Sequence, residues 1–388
     1  MPRISRRNFL ATVGSGTLGL GLFRSPSVAF GGDQAQPKII KYNPLGNTGL
    51  RVADVSCGAI SFNNPNVMRY AFDCGINYFD TAEGYLRTKS ETFIGEALKD
   101  VRDQVVITTK HPMRGPQDLD QAAIVKRVEE SLKRLQTDRI DVAMVHGPDS
   151  MESINHQAVQ EAYARLKKEG KVRFTGFSTH NAKVMLKEAL SSDFTQVVLI
   201  IYNHLEGAEI EPLIEAVRKK GIGTVAMKVF AGGMQGNLQR LVSRQLSYPQ
   251  AAIRWVLSNP YIDACIPTMS SFSHVEEYVA ASGKKLKRSD LALISRYRQR
   301  FSDQYCRVSC RECLPACPRG VAVNEVLRFA MYFENYGMEK EAMRYYAGLD
   351  ERQRPLGCAD CSGYCQQACP HGLKVRERLL HSHRLLRA

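Results

Sequence analysis

Gly75-Ile76-Asn77-Tyr78-Phe79-Asp80-Thr81-Ala82-Glu83-Gly84-Tyr85 is the stretch on which the fold turns. A glycine that stops a helix precedes a short apolar run, and a polar residue, Asp80, ends it. The pattern repeats on both sides. Short apolar runs are expected as strands at Asp54–Gly58, Ile76–Asp80, Val105–Thr109, Ile140–Val145, Val172–Phe177, Val197–Tyr202, Gly223–Met227 and Ile262–Ile266. Between them lie amphipathic stretches. In Val125–Leu135, Val125, Val128, Leu132 and Leu135 share one helical face. Gly170 and Gly221 again sit just before strands. Eight such units predict a closed (β/α)8 TIM barrel, an α/β fold, rather than an open sheet. No Gly-x-Gly-x-x-Gly follows an early strand, so the fingerprint of a doubly wound dinucleotide fold is lacking. Before the first unit, Lys41–Val52 reads as a hairpin turning at Asn47-Thr48-Gly49.

The C-terminal ends of barrel strands carry chemistry in such folds. Here they end in Asp80, Lys110, His146, Ser178, Asn203 and Lys228. Each alone could cap a strand, but packing does not predict six polar residues converging on one rim. Together with Leu45-Gly46-Asn47-Thr48-Gly49-Leu50, Ser131–Leu135 leading to Asp141, His146-Gly147-Pro148-Asp149, and Gly170-Lys171-Val172-Arg173, the Gly75–Tyr85 stretch resembles the aldo-keto reductase family over about residues 41–285. The likeness is to a subgroup with a twin-arginine signal and a C-terminal ferredoxin-like domain.

The resemblance implies a catalytic tetrad of Asp80, Tyr85, Lys110 and His146. A carbonyl that accepts hydride needs a proton, and a free phenol with pKa about 10 is a weak donor at neutral pH. The expectation is that Lys110 lowers the Tyr85 pKa, Asp80 holds Lys110, and His146 orients the carbonyl oxygen. Ser178, Asn203 and Lys228 are the implied nicotinamide contacts, with Ser270, His274 and Glu277 on the nucleotide-phosphate loop. Thr179, Leu199 and Met227 depart from the family pattern. The loop Ile266–His274 has no Arg or Lys for a 2′-phosphate, which points away from a strong NADP preference and towards NAD or weak nicotinamide binding.

Eight of the 11 cysteines fall between Cys306 and Cys369. They form Cys306-x3-Cys310-x2-Cys313-x3-Cys317-Pro318 and Cys358-x2-Cys361-x3-Cys365-x3-Cys369-Pro370, each followed by a glycine, Gly320 or Gly372. Zinc sites favour paired C-x2-C knuckles, and disulfides suit an oxidising compartment. The duplicated Cys-Pro ending instead resembles bacterial ferredoxins, which implies two [4Fe–4S] clusters. By that analogy Cys317 and Cys369 each complete the other run's cluster. One set is then Cys306, Cys310, Cys313 and Cys369. The other is Cys317, Cys358, Cys361 and Cys365. The expected organisation is a barrel over residues 41–300 and a mainly helical ferredoxin-type domain over 301–388. The latter has a helix at Asn324–Tyr336 whose Met and aromatic side chains read as core.

At the N-terminus, Ser5-Arg6-Arg7-Asn8-Phe9-Leu10, the apolar run to Phe23 and Ser27-Val28-Ala29 resemble a twin-arginine signal over residues 1–29, with residues 30–40 as a linker. That route exports folded proteins, as inserted clusters require, so a periplasmic or exported location and contact with the translocase are expected. The run is too short and glycine-rich for a stable membrane span. The net charge of +14 is spread through helices, which argues against a nucleic-acid surface. Basic residues Arg307, Arg311, Arg319 and Arg328 could dock an acidic redox partner or simply be solvated. Three readings follow. The first is a carbonyl/alcohol oxidoreductase using a nicotinamide, coupled to or supported by the clusters. The second is an exported iron–sulfur electron-transfer subunit whose barrel no longer uses a nicotinamide. The third is an inactive reductase kept for binding.

Overall fold

The computed structural model describes residues 36–61, 64–113, 115–233 and 247–387. The proposed export signal lies outside them. A two-stranded antiparallel hairpin, β1 (Tyr42–Pro44) and β2 (Arg51–Ala53), comes first. Eight parallel strands follow: β3 (Cys57–Gly58), β4 (Tyr78–Asp80), β5 (Val106–His111), β6 (Ile140–His146), β7 (Val172–Thr179), β8 (Val197–Ile201), β9 (Gly223–Met227) and β10 (Ala264–Cys265). They pair in chain order, and the bridges Val55–Cys265 and Gly58–Thr268 join the last strand to the first. All eight expected strands are present. The outermost two are shorter than expected, because only single bridges hold that seam.

Alternate residues point to opposite faces of a strand. Val142, Met144, Val197, Leu199 and Val225 face inward, where Leu45, Leu50 and Val52 of the hairpin join them. The hairpin therefore plugs the end opposite the polar rim. Gly46 makes this fit: its φ is +53°, and a Cβ there would come within 2.3 Å of the Gly223 nitrogen. The outward residues Ala143, Val145, Val198 and Ile200 pack under the helices. Helix Gln121–Leu135 shows why these segments are helical. Asp120 caps it by accepting from the Ala123 N–H at 2.8 Å, and Val125, Val128, Leu132 and Leu135 are buried on one stripe.

Several motif residues hold the barrel together rather than face its rim. Asp141 is buried and accepts from Arg102 at 2.7 Å, Arg173 at 2.8 Å and the Ile107 N–H at 2.9 Å. Arg134 donates to the buried Glu91 at 2.6 Å.

Helix Arg288–Phe301 closes the barrel stretch, and the tail adds helices Val323–Tyr336, Glu339–Ala347, Tyr364–Gln367 and Val375–Leu386. The tail shares a core with the barrel: Ile201, Tyr248, Ala252 and Tyr297 pack with Tyr305, Val308, Val326 and Phe329. Buried Glu206, just past β8, accepts from the Val308 N–H at 2.8 Å and from Ser309 at 3.1 Å. Among the described residues no helix is long and apolar enough to cross a membrane.

Candidate active site

The ends of β4, β5 and β6 bring Asp80, Lys110 and His146 together, and the loop after β4 adds Tyr85. Lys110 is fully buried. Its Nζ donates to Asp80 Oδ1 at 2.6 Å and to the Thr81 carbonyl, and lies 4.9 Å from the Tyr85 ring centre. The Tyr85 and His146 rings meet edge to face at 5.7 Å. The loop is held under strain, since Leu86, Arg87 and Thr88 all have positive φ, between 50° and 73°. Such conformations persist only where the surroundings over-determine them, and they cluster at functional sites.

Electrostatics differ from the sequence expectation. The Tyr85 phenol is pushed well above its ordinary value by burial first, then by Asp80, Tyr332 and Tyr345. Lys110 is not among the groups that move it, and its ammonium pairs with Asp80 at 2.6 Å. Burial pulls the Lys110 ammonium down, and Asp80 opposes this.

Asp80, Tyr85, His146 and Ser178 line one cavity of about 500 Å³, within the range of small-molecule sites. Leu199, Met227, Lys228, Ser270 and His274 also line it. Ser270 Oγ lies 3.2 Å from His274 Nδ1, and the His274 ring stacks on Tyr278 at 5.4 Å. Asn203 and Glu277 are used elsewhere. Asn203 donates to the Lys228 carbonyl at 3.1 Å and accepts from the Leu205 N–H at 2.9 Å. Glu277 accepts from Ser247 at 2.6 Å. The opposite wall comes from the tail: Arg328, Phe329, Tyr332, Tyr336 and Tyr345.

The comparisons agree with this geometry. Residues 63–241 match the model of the Aldo/keto reductase family. L-galactose dehydrogenase of Arabidopsis thaliana is 27% identical over 281 residues, covering 62% of this chain and 88% of that protein. Aldo-keto reductase YhdN of Bacillus subtilis is 32% identical over 164 residues, covering 38% and 49%. The holo form of aldo-keto reductase AKR11C1 from Bacillus halodurans superposes with a TM-score of 0.57 at 25% identity, covering 66% of this chain and 95% of that one. Over the barrel the chain is similar to oxidoreductases of the aldo/keto reductase family.

What the sequence did not reveal is the tail's part in the cavity. Arg328, Tyr332 and Tyr336 stand at successive i, i+4 positions, one stripe of helix Val323–Tyr336. Its aromatic members read as core, and Arg328 as a docking or solvated residue. Phe329, Met331 and Tyr332 enter the core with Tyr336 packed against it, and Phe329, Tyr332 and Tyr336 also border the cavity. The arginines expected to dock a partner are partly engaged within the chain. Arg307 donates to the Ser302 and Tyr305 carbonyls, Arg311 pairs with Asp149 at 2.7 Å, and Arg328 pairs with Glu325.

All eleven cysteines are free thiols. Burial first, then Cys313, Cys310, Glu206 and Cys369, push the Cys306 thiol up. Burial, then Cys365, Cys317 and Cys361, push Cys358 up to about 11. These neighbours are the two foursomes named from the ferredoxin likeness. Cys313 also feels Cys365, so the foursomes adjoin. The two Cys-Pro turns are built alike, with Gly320 and Gly372 both at φ +67° and each leading into a helix.

Proposed function

We propose that the barrel interconverts a small-molecule carbonyl and its alcohol by hydride transfer, with Tyr85 as proton donor. The observation that carries this is Tyr85, Asp80 and His146 lining one cavity, with Lys110 buried against Asp80 and the Tyr85 ring. A nicotinamide, when bound, supplies or accepts the hydride. Ser178, Ser270 and His274 would hold it, and the orphaned, buried Asp80 Oδ2 shows that the cavity floor has polar capacity left for a ligand. Asn203 and Glu277 support that site indirectly, through the Lys228 carbonyl and Ser247.

In reduction the hydride pair bonds to the carbonyl carbon and the C=O π pair moves to oxygen. That oxygen takes the Tyr85 proton, and solvent reprotonates the phenolate. The raised Tyr85 pKa keeps the donor loaded, while the alkoxide, a stronger base than any phenolate, still draws the proton. His146 orients the oxygen. Lys110, fixed by Asp80, places a positive charge beside the Tyr85 ring, where phenolate character develops.

The same proposal assigns two [4Fe–4S] clusters to the tail, on Cys306, Cys310, Cys313 and Cys369 and on Cys317, Cys358, Cys361 and Cys365. An all-thiol donor set shared between two runs supports this. Sets of four cysteine thiolates hold such clusters, which carry single electrons. Export by the twin-arginine route to the periplasm belongs to this reading, as does an acidic protein that exchanges electrons with the clusters.

A second reading, an exported electron-transfer subunit whose barrel no longer uses a nicotinamide, is favoured by Leu199 and Met227 on the cavity wall. Anaerobically purified, cluster-loaded protein separates the two. Saturable NAD(H) or NADP(H) binding, together with a kcat loss of about 100-fold or more in Tyr85→Phe, supports the reductase. Absence of nucleotide binding with intact iron and sulfide content supports the electron-transfer subunit.

A further inference from the structure

We propose that the substrate of this cavity is a carbonyl compound bearing a carboxylate, bound by Lys228 against the tail wall. This deepens the carbonyl-reduction reading and rests on it.

The cavity is lined by two carboxylates, Asp80 and Glu325, and each already has a cation: Lys110 at 2.6 Å for Asp80 and Arg328 for Glu325. Lys228 and Arg344 also line it, and among the described residues no carboxylate lies within salt-bridge distance of either. Arg344 is exposed to solvent, and Lys228 has no direct ion pair, only the buried Glu206 near enough to feel its charge. Lys228 is half-buried, and a partly desolvated ammonium gains from a directly paired anion. Lys228 makes do with phenols. Its Nζ donates to the Tyr332 hydroxyl at 3.2 Å and lies 5.0 Å and 5.8 Å from the Tyr332 and Tyr336 ring centres.

Its placement is enforced. Lys228 has φ +55°, a conformation unfavourable for a side chain with a Cβ, and Asn203 clamps its carbonyl at 3.1 Å. The strain aims this ammonium at the rim. Arg328 adds a buried Nε with no hydrogen-bond partner among the described residues. Burial opposes ionisation of Tyr332, yet Lys228 and then Arg328 hold its phenol below the ordinary value, so this wall favours negative charge. Phe329, Tyr336 and Tyr345 supply flat apolar surface beside these cations. Cations on aromatic walls fit a carboxylate on a planar or compact carbon frame. The rival anion is the diphosphate of a bound nucleotide.

The test uses the full, cluster-loaded chain with 4-carboxybenzaldehyde and 4-methylbenzaldehyde, which differ in charge more than in shape. The wild type should prefer the acid by about tenfold or more in kcat/KM, mostly through KM. Lys228→Met should bring that ratio near one, and Lys228→Arg should restore most of it. A wild-type ratio near one overturns the proposal. So does Lys228→Met weakening NAD(H) binding with the ratio intact, which would assign the charge to the nucleotide. If neither aldehyde is turned over, the carbonyl-reduction reading fails. Calorimetry of benzoate against benzamide then decides the anion site: benzoate binding lost in Lys228→Met supports it, and equal or absent binding of the two overturns it.

Discussion

At Lys110 a buried ammonium is satisfied by Asp80 Oδ1 and the Thr81 carbonyl. Truncating one member of a buried ion pair strands the other charge, at a cost of about 3–5 kcal/mol. Lys110→Met should lose roughly that in denaturant unfolding, and adding Asp80→Asn should recover part of it. An additive double mutant would show that the pair is not coupled. The raised Tyr85 pKa sets a pH dependence with a definite sign. In reduction the phenol must be protonated, so kcat should show no alkaline fall from this group below about pH 10. In alcohol oxidation the phenol must be deprotonated, so the rate should climb through about pH 9 without a plateau. A reductive rate falling with a midpoint near about pH 8 would contradict this. These residues were legible in the sequence, because polar strand ends and family motifs mark them. The direction of the Tyr85 shift was not. It depends on burial first, then on Asp80 and on Tyr332 and Tyr345, which come from far along the chain.

At the scale of elements, the alternation of apolar runs with helical stripes located all eight barrel strands. It overestimated β3 and β10, because strand length at the seam depends on how the barrel closes and not on local apolarity. The hairpin was legible as a hairpin, but its role as a plug needs the contact between Gly46 and Gly223. Gly46→Ala tests that role. The added Cβ meets backbone and the φ is positive, so the variant should lose more than about 1 kcal/mol in thermal or denaturant melts. An unchanged midpoint would remove the hairpin from the barrel's stability. Tyr332 and Tyr336 read as core, which Tyr332 is, but a helical stripe reports burial and not the cavity that both residues also border.

At the scale of the molecule, the barrel and the cysteine-rich tail share an apolar core and a cavity. Composition suggested two separable parts, since cysteine clustering marks a boundary without telling whether the surfaces across it are apolar. Shared burial predicts coupled unfolding. Anaerobic scanning calorimetry of the loaded protein should give one transition over barrel and tail, and removing iron with a chelator should lower that single midpoint. Two resolved transitions, with the upper one insensitive to iron, would separate the parts.

The central claim is direct hydride transfer at a cavity where Tyr85 gives the proton. It is tested most directly with nicotinamide, NADH and NADPH in turn, deuterated at the transferring C4 position, and an aldehyde. One deuterium should appear on the carbinol carbon of the product, with turnover lost in Tyr85→Phe. An unlabelled alcohol, formed at equal rates by wild type and Tyr85→Phe, would contradict the account.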